Sequence, residues 1–302
     1  MSEDVRDKSY LNHKDVIDLN FIRDHAIYLY RRHYRTGLRS HIMEVLSPGS
    51  VKKEKEGIVV HGMRQYPRAE PLKMLRIFRK RFKTLKGALE EVRRVKIIQS
   101  YLAPDHLARS EEFLVSYARR GRCDLLLCGF QEYIKGEIFE PWSPLDKYHL
   151  VSLLSRMETK KGEDSVAITD QWLERVRENA AGFIGKLKQM IVETRYVPDL
   201  AGVGNLIITL SGDIKLVDIN NISKVSLDPI IALDDRDYPV CDKSIEALSL
   251  LEQKVLCRSI QADDPIYKTF LDPARMREVK VAAERFYLTM EPTMSYPRSF
   301  LP

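Results

Sequence analysis

Residues 196–223, YVPDLAGVGNLIITLSGDIKLVDINNIS, decide how the second half of this chain is interpreted. A long helical pattern ends just before Pro198, since proline cannot continue the helical hydrogen-bond ladder. Asp199 and Asn205 then lie in a tight loop. Two strand patterns follow, with a bend between them, and Asp218 comes at the end of the second. This order predicts that two carboxylates and an amide return to one point in space.

Such a grouping is what phosphoryl transfer requires. One carboxylate can orient or deprotonate the acceptor hydroxyl, and the remaining oxygen atoms can hold Mg²⁺ against the phosphates. Two structural alternatives stay open. Asp199 and Asn205 are also typical of a polar turn at a helix end. Asp218 can equally be an aspartate that ends an edge strand.

The first part of the chain combines strands with one strong amphipathic helix. Aromatic and apolar residues at helical spacing predict a helix over residues 15–35, and strands at 41–46 and 57–63 are predicted to pair as a hairpin. The remaining predicted elements of this part are a third strand at 72–78, a helix at 84–102, and strands at 112–117 and 124–133. The glycine and two prolines of residues 135–144 predict a linker.

Helical patterns dominate after the linker. Predicted helices cover 145–157, a stretch from 165 or 170 to 194, 244–257 and 274–288, and strands are predicted at 205–210 and 213–219. The fold class is therefore α+β. We expect an N-terminal helical extension (1–40), a β-rich lobe (41–134) and a mostly helical lobe (135–302).

The quoted stretch resembles the catalytic loop and metal-binding strand of protein kinases and aminoglycoside-phosphotransferase-like kinases. In that superfamily a D-L-x-x-x-N loop precedes a hairpin that ends in hydrophobic-D-F-G. The resemblance implies a bilobal kinase-like fold that binds ATP and Mg²⁺. It assigns Asp199 as the catalytic base, Asn205 as a loop and metal ligand, and Asp218 as the principal metal carboxylate.

The same resemblance assigns roles in the first lobe. A strand lysine that grips the α and β phosphates matches Arg76 best, with Lys73 and Lys80 nearby after a shift in register. Its glutamate partner on the next helix matches Glu91, which lies beside the apolar stripe. Glu91 could instead be a surface charge paired with Arg94 or Lys96. The segment that receives adenine would be residues 129–134, with Gln131 and Tyr133 as nucleotide contacts.

Several positions depart from the family pattern. No His-Arg precedes Asp199, and the step from Asp199 to Asn205 is one residue longer than usual. Pro48-Gly49-Ser50 is the only substitute for a glycine-rich loop, and Ile219-Asn220 replaces Phe-Gly after Asp218. The resemblance as a whole implies an ATP- and Mg-dependent phosphotransferase acting on a small-molecule or glycolipid hydroxyl. The alternative is a pseudokinase-type nucleotide-binding regulatory module without phosphotransfer.

The amino-acid composition is compatible with several classes of binding partner. The net charge of +6 comes largely from the basic run at residues 76–86 and from Arg31, Arg32 and Arg35. A basic surface suits nucleotide phosphates, anionic lipid or nucleic acid. Nucleic-acid binding is the weakest of these interpretations, and peripheral membrane contact stays open. No apolar stretch or leader pattern predicts insertion or secretion, so we expect a cytoplasmic protein. The four cysteines form no C-x-x-C pair and are expected to be reduced.

Overall fold

The computed structural model describes residues 3–23, 27–34, 37, 39–119, 121–157, 165–228, 230–261 and 263–289. The fold is mixed α+β, as the sequence predicts. The chain divides into two compact units. The first comprises Met1–Lys96 and Ala108–Ile134, and the second comprises Ile97–Leu107 and Lys135–Pro302.

The first unit is built on an antiparallel sheet. Its elements, in chain order, are α1 (His13–Ile17), β1 (Leu29–Arg32), β2 (Ser40–Leu46), α2 (Pro48–Glu56), β3 (Ile58–Val60), β4 (Met63–Gln65), β5 (Lys73–Phe78), most of α3 (Leu85–Leu102), β6 (Ser110–Arg119) and β7 (Arg122–Gln131). Five strands form the main sheet in the order β1-β2-β5-β7-β6, and β3 pairs with β4 separately. The predicted third strand, the long helix and the two strands after it are confirmed.

Side-chain alternation along β5 gives the sheet two different faces. Leu75 and Ile77 are fully buried in a core that also contains Val5, Leu11 and Val16 of the N-terminal segment. Arg76 lies on the opposite face of the strand. The N-terminal segment therefore completes a hydrophobic core that the sheet residues could not bury alone.

Two predictions for the first 63 residues are wrong. The helix predicted over residues 15–35 ends at Ile17 in α1, and Leu29–Arg32 forms β1, paired with β2. Pairing with a neighbouring strand outweighs the local helical spacing there. The predicted hairpin between 41–46 and 57–63 is replaced by α2. Ser47 caps that helix through its side chain, and Pro48 stands in the first turn.

That second error also removes the proposed glycine-loop substitute. Pro48, Gly49 and Ser50 lie in the first turn of α2, after β2, and do not connect the first two strands of the sheet. Proline at this position is typical of a helix start, because its missing N–H has no partner there in any case.

The second unit contains most of the helices and two small strand ladders. Its elements after the end of α3 are β8 (Glu137–Ile138), α4 (Lys147–Met157), α5 (Ser165–Thr194), β9 (Tyr196–Pro198), β10 (Leu206–Ile208), β11 (Ile214–Leu216), β12 (Ile222–Lys224), α6 (Val240–Val255), α7 (Tyr267–Phe270) and α8 (Pro273–Thr289). The helices and the β10–β11 hairpin predicted for this part are confirmed. No helix in the described ranges is long and apolar enough to cross a membrane.

Helix α5 supports both ladders because its apolar stripe is buried. Trp172, Phe183 and Leu187 on that stripe are at most 1% exposed. Their spacing of 11 and 4 residues keeps them on one helical face. The tryptophan indole also donates a hydrogen bond to the Thr209 carbonyl next to β10 (3.4 Å).

A buried ion pair in the first sheet gives a prediction. The Arg76 guanidinium donates to Glu112 Oε1 at 3.0 Å, and the two side chains are 2% and 0% exposed. Glu112→Gln would remove the carboxylate charge that faces the buried arginine. We expect the free energy of unfolding to fall by about 3 kcal/mol or more, measured by urea denaturation followed by circular dichroism.

The exposed Lys52–Glu56 pair of α2 (3.8 Å) supplies the matched control. Glu56→Gln should change stability by less than about 0.5 kcal/mol, because both charges stay hydrated. Equal effects of the two substitutions would contradict a buried, charge-compensated Arg76.

Candidate functional site

The β10–β11 hairpin brings Asn205 and Asp218 to the same end of a ladder. Leu206 pairs with Leu216, and the Val217 N–H donates to the Asn205 carbonyl at 2.8 Å, which extends the pairing by one residue. Asp218 follows Val217 directly. The two side chains are therefore set by the register of one antiparallel pair.

A second ladder positions Asp199. Pro198 of β9 pairs with Ile222 of β12, and beyond this pair the Asp199 N–H donates to the Asn221 carbonyl at 2.8 Å. The Asn221 amide returns a hydrogen bond to Asp199 Oδ2 at 3.1 Å. Asp218 lies only three residues before Asn221, so the structure brings the three residues of the predicted site together.

The loop between Asp199 and Asn205 is closed by its own hydrogen bonds. The N–H groups of Ala201 and Gly202 both donate to Asp199 Oδ1, at 2.9 and 3.0 Å. The Asn205 side-chain nitrogen donates to the Asp199 carbonyl at 2.9 Å. This bond fixes the amide, and no hydrogen bond from the described residues reaches its oxygen, which is left to accept from or coordinate a ligand.

Neighbouring elements hold the loop from outside. The Leu200 N–H donates to Ser244 Oγ on α6 at 3.1 Å, and Ser244 is fully buried. The Gly204 N–H donates to Glu140 Oε1 at 2.8 Å. Gly204 has φ of +79°, in the left-handed region that glycine adopts without strain. The loop is thus fixed at several points along its length.

Electrostatics distinguish Asp199 from an ordinary turn aspartate. Burial, reinforced by repulsion from the Asp218 carboxylate, raises the pKa of Asp199 from 3.8 to about 6. Hydrogen bonds from Asn221, Gly202 and Ala201 act in the opposite direction and only partly offset the burial. A carboxylate with this pKa is ionised at neutral pH and is a stronger base than an exposed aspartate.

The first unit contains the residues predicted to contact nucleotide. The cation that contacts Glu91 on α3 is Lys80, at 2.6 Å. Arg76 is instead bonded to Glu112 and Ser110, whereas Lys73 is exposed at the start of β5.

The two residues predicted to contact adenine lie at and just after the end of β7. Gln131 is the last residue of the strand, is buried, and pairs with Met74. Tyr133 follows it, and burial raises the pKa of its hydroxyl. Contact of either residue with adenine stays a prediction.

Sequence reasoning missed the residues that hold the site in shape. Ser244 and Glu140 are 45 and 59 residues away from Asp199, and nothing in their local sequence marks them. Asn221 could have been found, because it stands opposite Asp199 once β9 is paired with β12. The sequence identified Lys80 as a nearby lysine. Because Lys80 lies two residues after the end of β5, its contact with Glu91 did not follow from the strand pattern.

No protein-family model matches the sequence, and a search of curated proteins finds no match. Within the described residues there is also no group of three or more histidine, cysteine, aspartate or glutamate side chains arranged to hold a metal ion. A metal at this site would therefore depend on amide oxygens as well as carboxylates.

Gly202 gives a test of the loop geometry. A Cβ at this position would lie 2.5 Å from the Asn205 side-chain nitrogen and 2.9 Å from its carboxamide carbon. Gly202→Ala should therefore displace the Asn205 amide and lower the free energy of unfolding by about 1–3 kcal/mol. Thermal unfolding followed by tryptophan fluorescence would measure the loss.

Gly185, in the exposed interior of α5, is the matched control. A Cβ there meets no atom within 4 Å, so Gly185→Ala should raise stability by about 0.5–1 kcal/mol. A Gly202→Ala protein as stable as the Gly185→Ala protein would contradict the close approach of Gly202 and Asn205.

The pKa of Asp199 gives a prediction for stability against pH. Between about pH 4 and 6 the folded chain keeps the Asp199 proton, whereas the unfolded chain has lost it, so this group's contribution to stability falls as the pH rises through that window. Asp199→Asn does not titrate. We expect the variant to be about 1–3 kcal/mol more stable than the wild type at pH 7.5 and similar to it near pH 4.

Urea denaturation at a series of pH values would measure this difference. Asp170→Asn is the control, because Asp170 is an exposed carboxylate on α5. A constant difference between Asp199→Asn and the wild type from pH 4 to 7.5 would show that Asp199 does not have a raised pKa.

Proposed function

We propose that this chain is an ATP- and Mg-dependent phosphotransferase of the kinase-like superfamily that acts on a hydroxyl of a small molecule or glycolipid. The observation that carries the proposal is the convergence of Asp199, Asn205 and Asp218 at the adjoining ends of two strand ladders. Neither a helix-capping turn nor an isolated strand end would require these three side chains to share one location.

The chemistry of the residues suits magnesium. Mg²⁺ prefers hard oxygen ligands and is commonly held by one or two carboxylates together with phosphate oxygens and water. Asp218 offers a carboxylate, and Asn205 offers an amide oxygen whose orientation is fixed through its nitrogen. When bound, the cation would neutralise charge on the phosphate oxygens during transfer.

Asp199 has the properties of the group that accepts the hydroxyl proton. Its pKa near 6 leaves it ionised at pH 7 while making it more basic than a solvated aspartate. Hydrogen bonds from the backbone of Ala201 and Gly202 hold one carboxylate oxygen in place. A fixed base needs little reorganisation when the acceptor hydroxyl arrives.

The family resemblance assigns a cation and a glutamate of the first unit to the phosphates. The Lys80–Glu91 contact of 2.6 Å supports Lys80 as the cation of that pair. Arg76 is less suited to the role because its charge is already compensated by buried Glu112. Gln131 and Tyr133 stay the proposed adenine contacts.

The class of acceptor and the location are inferred from the sequence and from the cofactor. The absence of an A-P-E motif in the sequence favours a small-molecule or glycolipid hydroxyl over a protein acceptor. A cytoplasmic location is part of the proposal, because ATP and magnesium are plentiful there. A nucleotide-binding regulatory module without transfer is the alternative that the experiment below separates from the enzyme.

Binding of Mg-ATP tests the site directly. We expect Mg-ATP at 100 times its dissociation constant to stabilise the protein by about 2.7 kcal/mol, measured as a shift in thermal unfolding. Asp218→Ala should lose most of this shift, since a ligand of the cation is removed. Asp170→Ala, which removes an exposed carboxylate of the same unit, should keep it.

Turnover then distinguishes enzyme from regulator. Asp199→Asn should retain the Mg-ATP shift and lose ATP turnover by a factor of about 10² or more, because the proton acceptor is gone and the Asp218 ligand remains. Binding without turnover for any hydroxyl acceptor in a broad panel would favour the regulatory module. Absence of any Mg-ATP shift in the wild type would reject both.

A further inference from the structure

Asn220 lies two residues after the candidate metal ligand Asp218, and its N–H donates to the Asp218 carboxylate. The residue is 5% exposed. Its side-chain oxygen is sealed from solvent, and no donor among the described residues reaches it. The neighbouring amides of Asn205 and Asn221 are each bonded to Asp199 through their nitrogen atoms. The Asn220 oxygen differs from theirs because it is a buried oxygen that no donor among the described residues reaches.

A buried amide oxygen without a donor is unusual and costs stability. Most buried polar atoms in folded proteins have a hydrogen-bond partner, and an exception calls for a partner that enters later or for a functional role. An apolar side chain of similar size would avoid this cost. Asparagine at position 220 therefore points to a ligand that satisfies the oxygen.

The location of Asn220 narrows the choice of ligand. Its backbone N–H donates to Asp218 Oδ1 at 3.2 Å, so the residue folds back on the carboxylate. Covalent geometry keeps an asparagine side-chain oxygen within about 5 Å of its own backbone nitrogen. The amide is consequently within reach of a hydrated cation on Asp218, since Mg²⁺ retains several of its water molecules.

We propose that the Asn220 side-chain oxygen joins Asp218 and Asn205 in holding the divalent cation, through the cation or one of its bound waters. This inference rests on the proposed metal site and adds one residue to it. It also gives a physical reason for an asparagine where the family pattern has glycine, which offers no side-chain oxygen.

A neutral donor suits this position better than a third carboxylate. The Asp218 carboxylate already lies at this position, since its Oδ1 accepts from the Asn220 N–H at 3.2 Å, and a further carboxylate there would meet electrostatic repulsion. An aspartate at 220 would add to that repulsion in the empty site, while an amide adds an oxygen ligand without adding charge. Asn220→Asp should accordingly bind the cation more tightly and be less stable without it.

The test is a titration of the full-length, nucleotide-free protein with Mn²⁺, followed by electron paramagnetic resonance of the free ion. Mn²⁺ is the probe because it accepts the same oxygen ligands as Mg²⁺. We expect Asn220→Leu to weaken Mn²⁺ binding about tenfold. The metal-free Asn220→Leu protein should unfold at the same temperature as the wild type or higher, because the unsatisfied buried oxygen is removed.

Asn179→Leu is the matched control in the same unit. The Asn179 amide donates to the Gly212 carbonyl at 3.0 Å and to Asp213 Oδ1 at 3.3 Å. Its loss should lower the unfolding temperature and leave Mn²⁺ affinity unchanged. Asn220→Leu would then show the opposite pattern in both measurements, which a structural asparagine would not.

The outcomes separate this inference from the proposed function. If the wild type binds Mn²⁺, Asp218→Ala abolishes binding and Asn220→Leu binds like the wild type, the role of Asn220 is overturned and the metal site stands. If the wild type binds no Mn²⁺ with or without ATP, both are overturned. If Asn220→Leu does not fold, Asn220→Asp is the variant to measure. The inference is overturned if Asn220→Asp binds Mn²⁺ no more tightly than the wild type does.

Discussion

The pairing of Asp199 with Asn221 is the contact on which the candidate site depends. The backbone bond of 2.8 Å continues the β9–β12 ladder past its last strand residue, and the amide-to-carboxylate bond of 3.1 Å fixes the side chain. Because Asn221 follows closely after the β10–β11 hairpin, this one pairing joins the two ladders. Without it, Asp199 and Asp218 would belong to separate turns.

Two features of the candidate site lower the stability of the folded chain. Asp199 is partly buried and is repelled by the Asp218 carboxylate, and no donor among the described residues reaches the buried Asn220 oxygen. Each of these features costs free energy in the metal-free chain. Perturbed ionisable groups and unsatisfied polar atoms concentrate at functional sites because a ligand relieves them. Asn221, which bonds to Asp199, follows Asn220 directly, so the two features belong to one cluster, as the proposed cation site requires.

Two cationic side chains of the first unit, Arg76 and Lys80, differ in burial and therefore suit different roles. Arg76 and Lys80 lie four residues apart, yet Arg76 is enclosed with Glu112 whereas the Lys80 side chain is 44% exposed beside Glu91. An enclosed and compensated charge contributes to the integrity of the sheet. A half-exposed ammonium keeps donors that a phosphate can use, so exposure rather than sequence position separates the two.

The sequence by itself determined the elements whose signals are local. The apolar stripe of α5 and the bend between β10 and β11 each depend on residues within one or two turns, and these elements form as predicted. The spacing of Asp199, Asn205 and Asp218 could be read for the same reason. Tertiary structure alone decided whether 15–35 stayed helical, which cation reached Glu91, and which side chains anchor the loop. Strand pairing, ion pairing and the bonds from Ser244 and Glu140 depend on residues far apart in the chain, whose proximity no local pattern encodes.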